Sequence, residues 1–160
     1  IRRARAAGMQ VLLDFHYSDD WADGDKQIVP AAWAKLDAPR QAEALYDYTR
    51  EVLARLDARG LMPEMVQVGN ETNPELMGGT KAAKINWERD ALLLNAGIRA
   101  VRAAGKAPGI LATDPALAQQ YLAAGALFVA VGLDSSLLVT AARALAQRYK
   151  PGDGPLAATY

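Results

Sequence analysis

The stretch that decides the fold is residues 65–74, which read MVQVGNETNP. Its apolar and β-branched start predicts a buried strand, and Gly69 predicts the turn that ends it. A carboxylate, Glu71, then follows an amide, Asn70, where the strand meets a loop. In α/β barrels the carboxyl ends of the strands carry the catalytic residues. We therefore predict that Glu71 is catalytic; the alternative is a surface glutamate in a polar loop.

A second strand is predicted upstream, at the apolar run MQVLLDF of residues 9–15. Such a run is typical of a parallel strand that is covered on both faces. It leads into HYSDDWAD, residues 16–23, a polar and aromatic loop that contains the only histidine of the chain. Aromatic faces pack on sugar C–H groups, and carboxylates and imidazoles bond to sugar hydroxyls. The loop is therefore predicted to bind sugar; the alternative is a solvated acidic loop with Trp21 in the core.

Strands and helices alternate along the rest of the chain. Apolar spacing and capping residues predict helices over residues 86–104, 114–124 and 134–149, and one that is capped by Asp37, has Pro39 in its first turn and runs through residues 41–59; further strands are predicted over 108–113 and 127–131. Residues 24–39 and 73–84 are predicted to be irregular. Four strand–helix units favour a parallel sheet, in a barrel or a doubly wound fold, and no Gly-x-Gly-x-x-Gly follows a strand to indicate a dinucleotide site. A (β/α)₈ barrel needs roughly 250 residues, so we predict an α/β half barrel of TIM type.

Composition excludes several classes of function. The chain has 160 residues, a formal net charge of zero and no cysteine. Without a basic excess we predict no nucleic-acid partner, and without an apolar run of roughly 20 residues we predict no membrane partner. The absence of cysteine excludes disulfides and thiolate chemistry. We predict one α/β domain over residues 1–160, with a loose tail over 151–160.

Metal ligands are sparse in the sequence. His16 has no histidine or cysteine partner at a zinc-binding spacing. The acidic residues of the same loop, Asp19, Asp20, Asp23 and Asp25, could offer oxygen to Ca²⁺, but they lack the order of an EF-hand loop. We therefore predict neither a metal nor a cofactor.

Glycoside hydrolysis needs two carboxyl groups, roughly 5 Å apart when the enzyme retains configuration. Glu71 can be the proton donor, but no second glutamate ends a predicted strand. Asp114 and Asp134 follow strands, although both positions also suit helix N-caps. Asp14, near the end of the first strand, is the remaining candidate.

The motifs at residues 13–23 and 66–73 resemble glycoside hydrolase family 53, the arabinogalactan endo-β-1,4-galactanases. The resemblance covers about residues 1–104. It implies a (β/α)₈ barrel, retaining hydrolysis of β-1,4-galactan or arabinogalactan, and secretion. By this resemblance Glu71 is the general acid/base and Asn70 holds the 2-hydroxyl of the sugar.

The same resemblance places His16, Asp19 and Trp21 in substrate-lining positions. The family nucleophile, a glutamate after the seventh strand, has no counterpart in this sequence. The function that the resemblance implies is therefore a galactanase that is catalytically incomplete.

Beyond Gly105 the sequence resembles a different family. Residues 106–118 and 128–138 are similar to the C-terminal end of the HpcH/HpaI aldolases, which are metal-dependent (β/α)₈ pyruvate aldolases. This resemblance covers about residues 105–150 and predicts a chimera of two barrels. Alternative functions are then a pyruvate aldolase or a non-catalytic scaffold that binds galactan. An open half barrel exposes sheet edges, so a homodimer that completes the barrel is also predicted.

Overall fold

The computed structural model describes residues 1–72, 75–80, 84–123 and 125–149. The predicted loose tail lies outside the described residues, as does part of the predicted loop over 73–84. The chain divides into two units, Ile1–Pro108 and Gly109–Tyr160, and each is described by itself. The single domain predicted over residues 1–160 stays a prediction.

All the predicted helices and strands are present, with shifted ends. The described part of the first unit contains α1 (Arg2–Ala6), β1 (Leu12–Phe15), β2 (Lys26–Gln27), α2 (Ala38–Asp57), β3 (Met65–Val68), β4 (Gly79–Thr80) and α3 (Trp87–Ala103). The second contains β5 (Gly109–Leu111), α4 (Pro115–Ala123), β6 (Phe128–Ala130) and α5 (Asp134–Tyr149).

Each unit contains one parallel strand pair. β1 pairs with β3 from Leu12↔Met65 to Phe15↔Val68, and β5 pairs with β6. The parallel arrangement predicted from the alternation of strands and helices is thus confirmed within each unit. The described residues do not form a closed barrel, which is consistent with a partial one.

A short antiparallel pair, β2 with β4, corrects the prediction that residues 24–39 and 73–84 are irregular. It joins Lys26 to Thr80 and Gln27 to Gly79. Two-residue strands are too short to show an alternating pattern in sequence. The pair connects the loop after β1 with the segment after β3, and these two segments carry the predicted site.

Two capped helices cover the first unit. Asp37 Oδ1 accepts a hydrogen bond from the Arg40 amide at 3.0 Å at the start of α2, and Asn86 Oδ1 does the same for the Arg89 amide at 3.2 Å in α3. These bonds satisfy amides that have no partner within the helix. α2 and α3 then bury one face each into a common core, whose fully buried members include Leu45, Leu53, Leu93 and Ala96.

Gly97 allows α3 to approach β3 closely. A Cβ atom at this position would collide with Val68 Cγ1 and would lie 3.3 Å from Leu45 Cδ2. Since core side chains are close-packed, neither neighbour has free space to move into. The absence of a side chain at Gly97 therefore sets the distance between α3 and the strand that leads to Glu71.

We expect Gly97→Ala to lower the free energy of unfolding by about 1–2 kcal/mol, because overpacking outweighs the higher helix propensity of alanine. Urea unfolding followed by circular dichroism measures the change. In a Val68→Ala background the same substitution should cost nothing, since the colliding methyl group is gone. An equal cost in both backgrounds would contradict the close approach.

The second unit buries little of its apolar surface. α5 has no buried residue among those described, and Ala118 is the buried residue of α4. Leu117 and Leu122, two apolar residues of α4, are 40% and 47% exposed.

None of the helices in the described residues is long and apolar enough to cross a membrane.

Candidate active site

The predicted site lies where β1 and β3 end. Because the strands are parallel, both carboxyl ends reach the same edge. The Gly69 amide donates to the Phe15 carbonyl at 2.9 Å and extends the pairing by one residue. Gly69 then turns the chain with φ +80°, and a Cβ there would collide with Thr72 and lie 2.9 Å from Leu76 Cδ1. The glycine is thus required for the turn that was predicted after the strand.

Asn70 and Glu71 lie against the loop that follows β1. Asn70 Nδ2 donates to the Ala22 carbonyl at 2.8 Å, and Glu71 Oε2 accepts from the Gly24 amide at 3.0 Å. Glu71 is exposed and has a left-handed backbone with φ +46°. The sequence placed Glu71 and the loop at one edge, and the structure brings them into direct contact.

Gln27 is a residue of the site that the sequence did not indicate. It is only 2% exposed. Its side-chain Nε2 donates to the carbonyls of Asp23 at 2.9 Å and of Asn70 at 2.7 Å. Glutamine in a two-residue strand carries no local signal of such a role, because one of its partners is 43 residues away.

His16 is oriented from two sides. Its Nδ1 accepts a hydrogen bond from the Ala22 amide at 3.1 Å, which leaves the proton of the neutral ring on Nε2. Nε2 lies 3.4 Å from Asp14 Oδ2. Burial raises the pKa of the Asp14 carboxyl, while the charge and hydrogen bond of His16 act to lower it. Asp14 Oδ1 is buried and has no hydrogen-bond partner within the described residues.

Trp21 is the exposed aromatic side chain of this loop, at 66% exposure. Its ring packs edge-to-face on His16, with centroids 4.8 Å apart. The alternative that Trp21 belongs to the core is therefore wrong. Its position leaves an apolar ring face accessible, and such a face can pack on a sugar.

Asp19 is exposed and connects the loop after β1 to the segment around Ala31. Its Oδ2 accepts from the Ala31 amide at 2.7 Å. A cavity of about 490 Å³ adjoins it. Besides Asp19, the polar and aromatic residues that line this cavity are Asp14, Phe15, His16, Tyr17, Ser18, Trp33 and Tyr48. The cavity thus contacts two of the predicted sugar-binding residues, and Trp33 packs against the core as its apolar ring predicts.

Tyr17 anchors the start of the loop to α2. Its φ is +50° and it is 4% exposed. Thr49 Oγ1 donates its proton to the Leu45 carbonyl at 2.7 Å, so the Tyr17 hydroxyl is the donor in its 2.8 Å bond to Thr49. Burial raises the pKa of Tyr17 above its usual value and keeps the phenol neutral. The hydroxyl therefore acts as a structural donor.

Two of the three candidate second carboxylates serve helix starts. Asp114 Oδ1 accepts from the Leu117 amide at 2.8 Å, which confirms the N-cap interpretation. Asp134 is the first residue of α5, and its Oδ1 accepts from the Ser135 amide at 2.7 Å. Asp14, paired with His16, is the third.

The acidic loop does not gather its carboxylates. Asp20 forms an ion pair with Lys26, and Asp23 accepts from the Asp25 amide at 2.9 Å. Within the part of the chain that the structure describes, no three His, Asp or Glu side chains are grouped to hold a metal.

The parallel β/α units, with Glu71 at the carboxyl edge of β1 and β3, are consistent with part of a β/α barrel. The family model described as glycosyl hydrolase family 53 matches residues 1–120. The chain therefore belongs to glycosyl hydrolase family 53.

Relatives of known name agree with this assignment. The chain is 52% identical over 113 residues to an arabinogalactan endo-β-1,4-galactanase of Cellvibrio japonicus, covering 68% of this chain and 30% of that protein. It is 48% identical over 101 residues to an endo-β-1,4-galactanase of Bacillus subtilis, covering 63% and 22%. The chain thus spans a third or less of the length of these relatives.

A solved structure shows the same relationship. The family 53 catalytic domain of Ignisphaera aggregans matches with a TM-score of 0.62 and 37% identity, over 75% of this chain and 34% of that one. The family match also runs beyond residue 104, where the resemblance to galactanases was predicted to end. The aldolase resemblance of residues 105–150 stays a prediction.

We expect His16→Ala to raise the pKa of Asp14 further, because it removes the group that lowers it. Carbon-13 titration of the Asp14 carboxyl measures this shift. Trp21→Ala, which leaves the Asp14–His16 contact in place, is the matched control.

The same shift predicts a change in stability. A carboxyl group whose pKa is raised by folding stabilises the folded state at pH values below its unfolded pKa. This stabilisation is lost as the pH rises through its folded pKa. His16→Ala should therefore lose stability relative to the unsubstituted chain as the pH rises above 3.8, the ordinary Asp value. A stability difference that does not change with pH would contradict the coupling.

Proposed function

We propose that this chain forms the acid/base half of an endo-β-1,4-galactanase site. The complete site would hydrolyse β-1,4-galactan in arabinogalactan with retention of configuration. The observation that carries the proposal is the position of Asn70 and Glu71. Both are hydrogen-bonded to the loop after β1 at the carboxyl edge of the strands. The chain also shares 52% identity over 113 residues with a galactanase.

Glu71 is the general acid/base in this proposal. Its carboxyl group gives a proton to the glycosidic oxygen as the C1–O bond breaks, and later takes a proton from the water that attacks C1. The Gly24 amide holds Oε2, so Oε1 is the oxygen that we assign to the leaving group.

Asn70 is assigned to the 2-hydroxyl of the sugar. One Nδ2 proton is donated to the Ala22 carbonyl, which leaves the second proton and Oδ1 for the substrate. His16, Asp19 and Trp21 are proposed to line the sugar-binding surface beside it. The Trp21 ring supplies the apolar face, Asp19 supplies a carboxylate, and the His16 ring packs against Trp21.

We propose that the chain alone is catalytically incomplete. Retention requires a nucleophilic carboxylate roughly 5 Å from the acid/base. Asp114 and Asp134 bind helix amides, and Asp14 is paired with His16. Since catalytic carboxylates act as a unit, the loss of one removes most of the rate.

The proposal is tested by supplying an external nucleophile. In azide, we expect the chain to convert galactotetraose to an α-galactosyl azide: nitrogen bonds to C1, the C1–O bond breaks, and Glu71 protonates the departing oxygen. Without azide, reducing-sugar release from β-1,4-galactan should stay near background.

Glu71→Gln should abolish the azide product, because the amide cannot donate its proton to the leaving oxygen. Glu88→Gln, at an exposed glutamate of α3, is the matched control and should retain it. Product formation that is equal in the two variants would overturn the role of Glu71.

A second candidate function, galactan binding without hydrolysis, is favoured by the 66% exposure of Trp21. We expect Trp21→Ala to weaken binding of galacto-oligosaccharides about tenfold, or about 1.4 kcal/mol, because a stacking surface is lost. Titration calorimetry measures the affinity.

Trp87→Ala is the matched control for this experiment. Trp87 is similarly exposed, at 70%, but lies in the first turn of α3. Equal losses in the two variants would exclude Trp21 as a specific sugar contact.

The structure adds no observation in favour of the pyruvate aldolase, and the homodimer stays a prediction.

A further inference from the structure

The turn at residues 22–27 holds the Asn70–Glu71 segment from several sides. Ala22 accepts from the side chain of Asn70, and Gly24 donates to the side chain of Glu71. The strand pair β2–β4 fixes the end of this turn. An Asp23–Lys26 bridge closes the turn on itself.

Gln27 supplies the contacts to the backbone. Its Nε2 donates to the Asn70 carbonyl at 2.7 Å and lies 3.4 Å from the Glu71 carbonyl. It also donates to the Asp23 carbonyl at 2.9 Å. One buried amide nitrogen thus links the turn to both residues of the proposed catalytic pair.

The orientation of the Gln27 amide is determined by these partners. Three carbonyl oxygens surround Nε2, so a flipped amide would place Oε1 against oxygen atoms that cannot donate. In the observed orientation Oε1 is buried and has no hydrogen-bond partner among the described residues. The contacts of Nε2 therefore decide how the side chain lies.

Glu71 needs such support because its backbone is left-handed. A φ of +46° is uncommon for a residue with a side chain, and it persists when surrounding contacts fix it. Gln27 binds the carbonyls on both sides of the Glu71 nitrogen–Cα unit, where rotation would otherwise relax the chain. The carboxylate is directed towards Gly24 only while this conformation is kept.

We propose that Gln27 is a positioning residue that fixes the backbone of Asn70 and Glu71, and thereby directs the Glu71 carboxylate. This role rests on the proposed function of Glu71 as acid/base. Gln27 does not touch the substrate in this proposal. It acts on the acid/base and on Asn70, whose hydrogen bond to the 2-hydroxyl strengthens in the transition state, so its effect should fall mainly on the rate of the chemical step.

The Gly24 amide proton offers a readout that does not depend on catalysis. An amide proton that donates to a carboxylate changes its chemical shift when that carboxylate ionises. In the unsubstituted chain we expect the Gly24 amide to titrate with Glu71, and Glu71→Gln should remove this titration.

Gln27→Met keeps the length of the side chain and removes both donors. We expect the amplitude of the Gly24 titration to fall at least twofold. Lys26→Met, on the neighbouring residue whose side chain pairs with Asp20, should retain the full amplitude. A fall of less than twofold in Gln27→Met would overturn the proposal.

The unsubstituted chain gives a test that holds even if Gln27→Met does not fold. The Gln27 side-chain amide protons should exchange with solvent at least 100-fold more slowly than those of a free glutamine, because the nitrogen is buried and donates within the protein. Exchange at the free rate would likewise overturn the proposal.

Kinetics then separate this role from the proposed function. In the azide assay we expect Gln27→Met to lower kcat by 10- to 100-fold, because small misplacements of a catalytic group are costly, while KM stays within twofold. An unchanged kcat overturns the positioning role. If the unsubstituted chain forms no product, the acid/base function fails, but the Gly24 titration still decides the role of Gln27.

Discussion

The parallel pairing of β1 with β3 is the constraint on which the site depends. Its register ends at Phe15↔Val68, and the Gly69–Phe15 hydrogen bond adds one further step. Both strands end at that edge of the sheet, and the chain continues to His16 after β1 and to Glu71 after β3. A shift of one residue would point every side chain of the strand to the other face. The contacts of both loops follow from this register.

Much of the scaffold is readable from sequence because its signals are local. Asp37 and Asn86 mark the helix starts, and the apolar runs mark the strands. Strand ends are less local, since they depend on pairing: β1 begins at Leu12, which pairs with Met65, the first residue of β3. Residues 9–11, which were predicted to begin this strand, therefore lie outside it.

The details of the site depend on contacts between distant parts of the chain. Glu71 was predictable because a carboxylate directly after an apolar strand is an unusual local combination; the strand itself is only partly buried, although it was predicted to be buried. Gln27 was not, because its significance comes from two carbonyls more than forty residues away. The left-handed backbone of Glu71 was hidden for the same reason, since no glycine or asparagine occupies that position.

The two halves of a retaining site place different demands on the fold. The acid/base half is local to the first unit: the turn at residues 22–27 supplies the hydrogen bonds that hold Asn70 and Glu71. The nucleophile must instead be held across the site at roughly 5 Å, which needs a rigid strand on another side of a barrel. Partial barrels can therefore preserve a well-formed acid/base while lacking retaining catalysis. The contacts that support the acid/base lie within one unit, whereas the pair of carboxylates needs strands from different sides of a barrel.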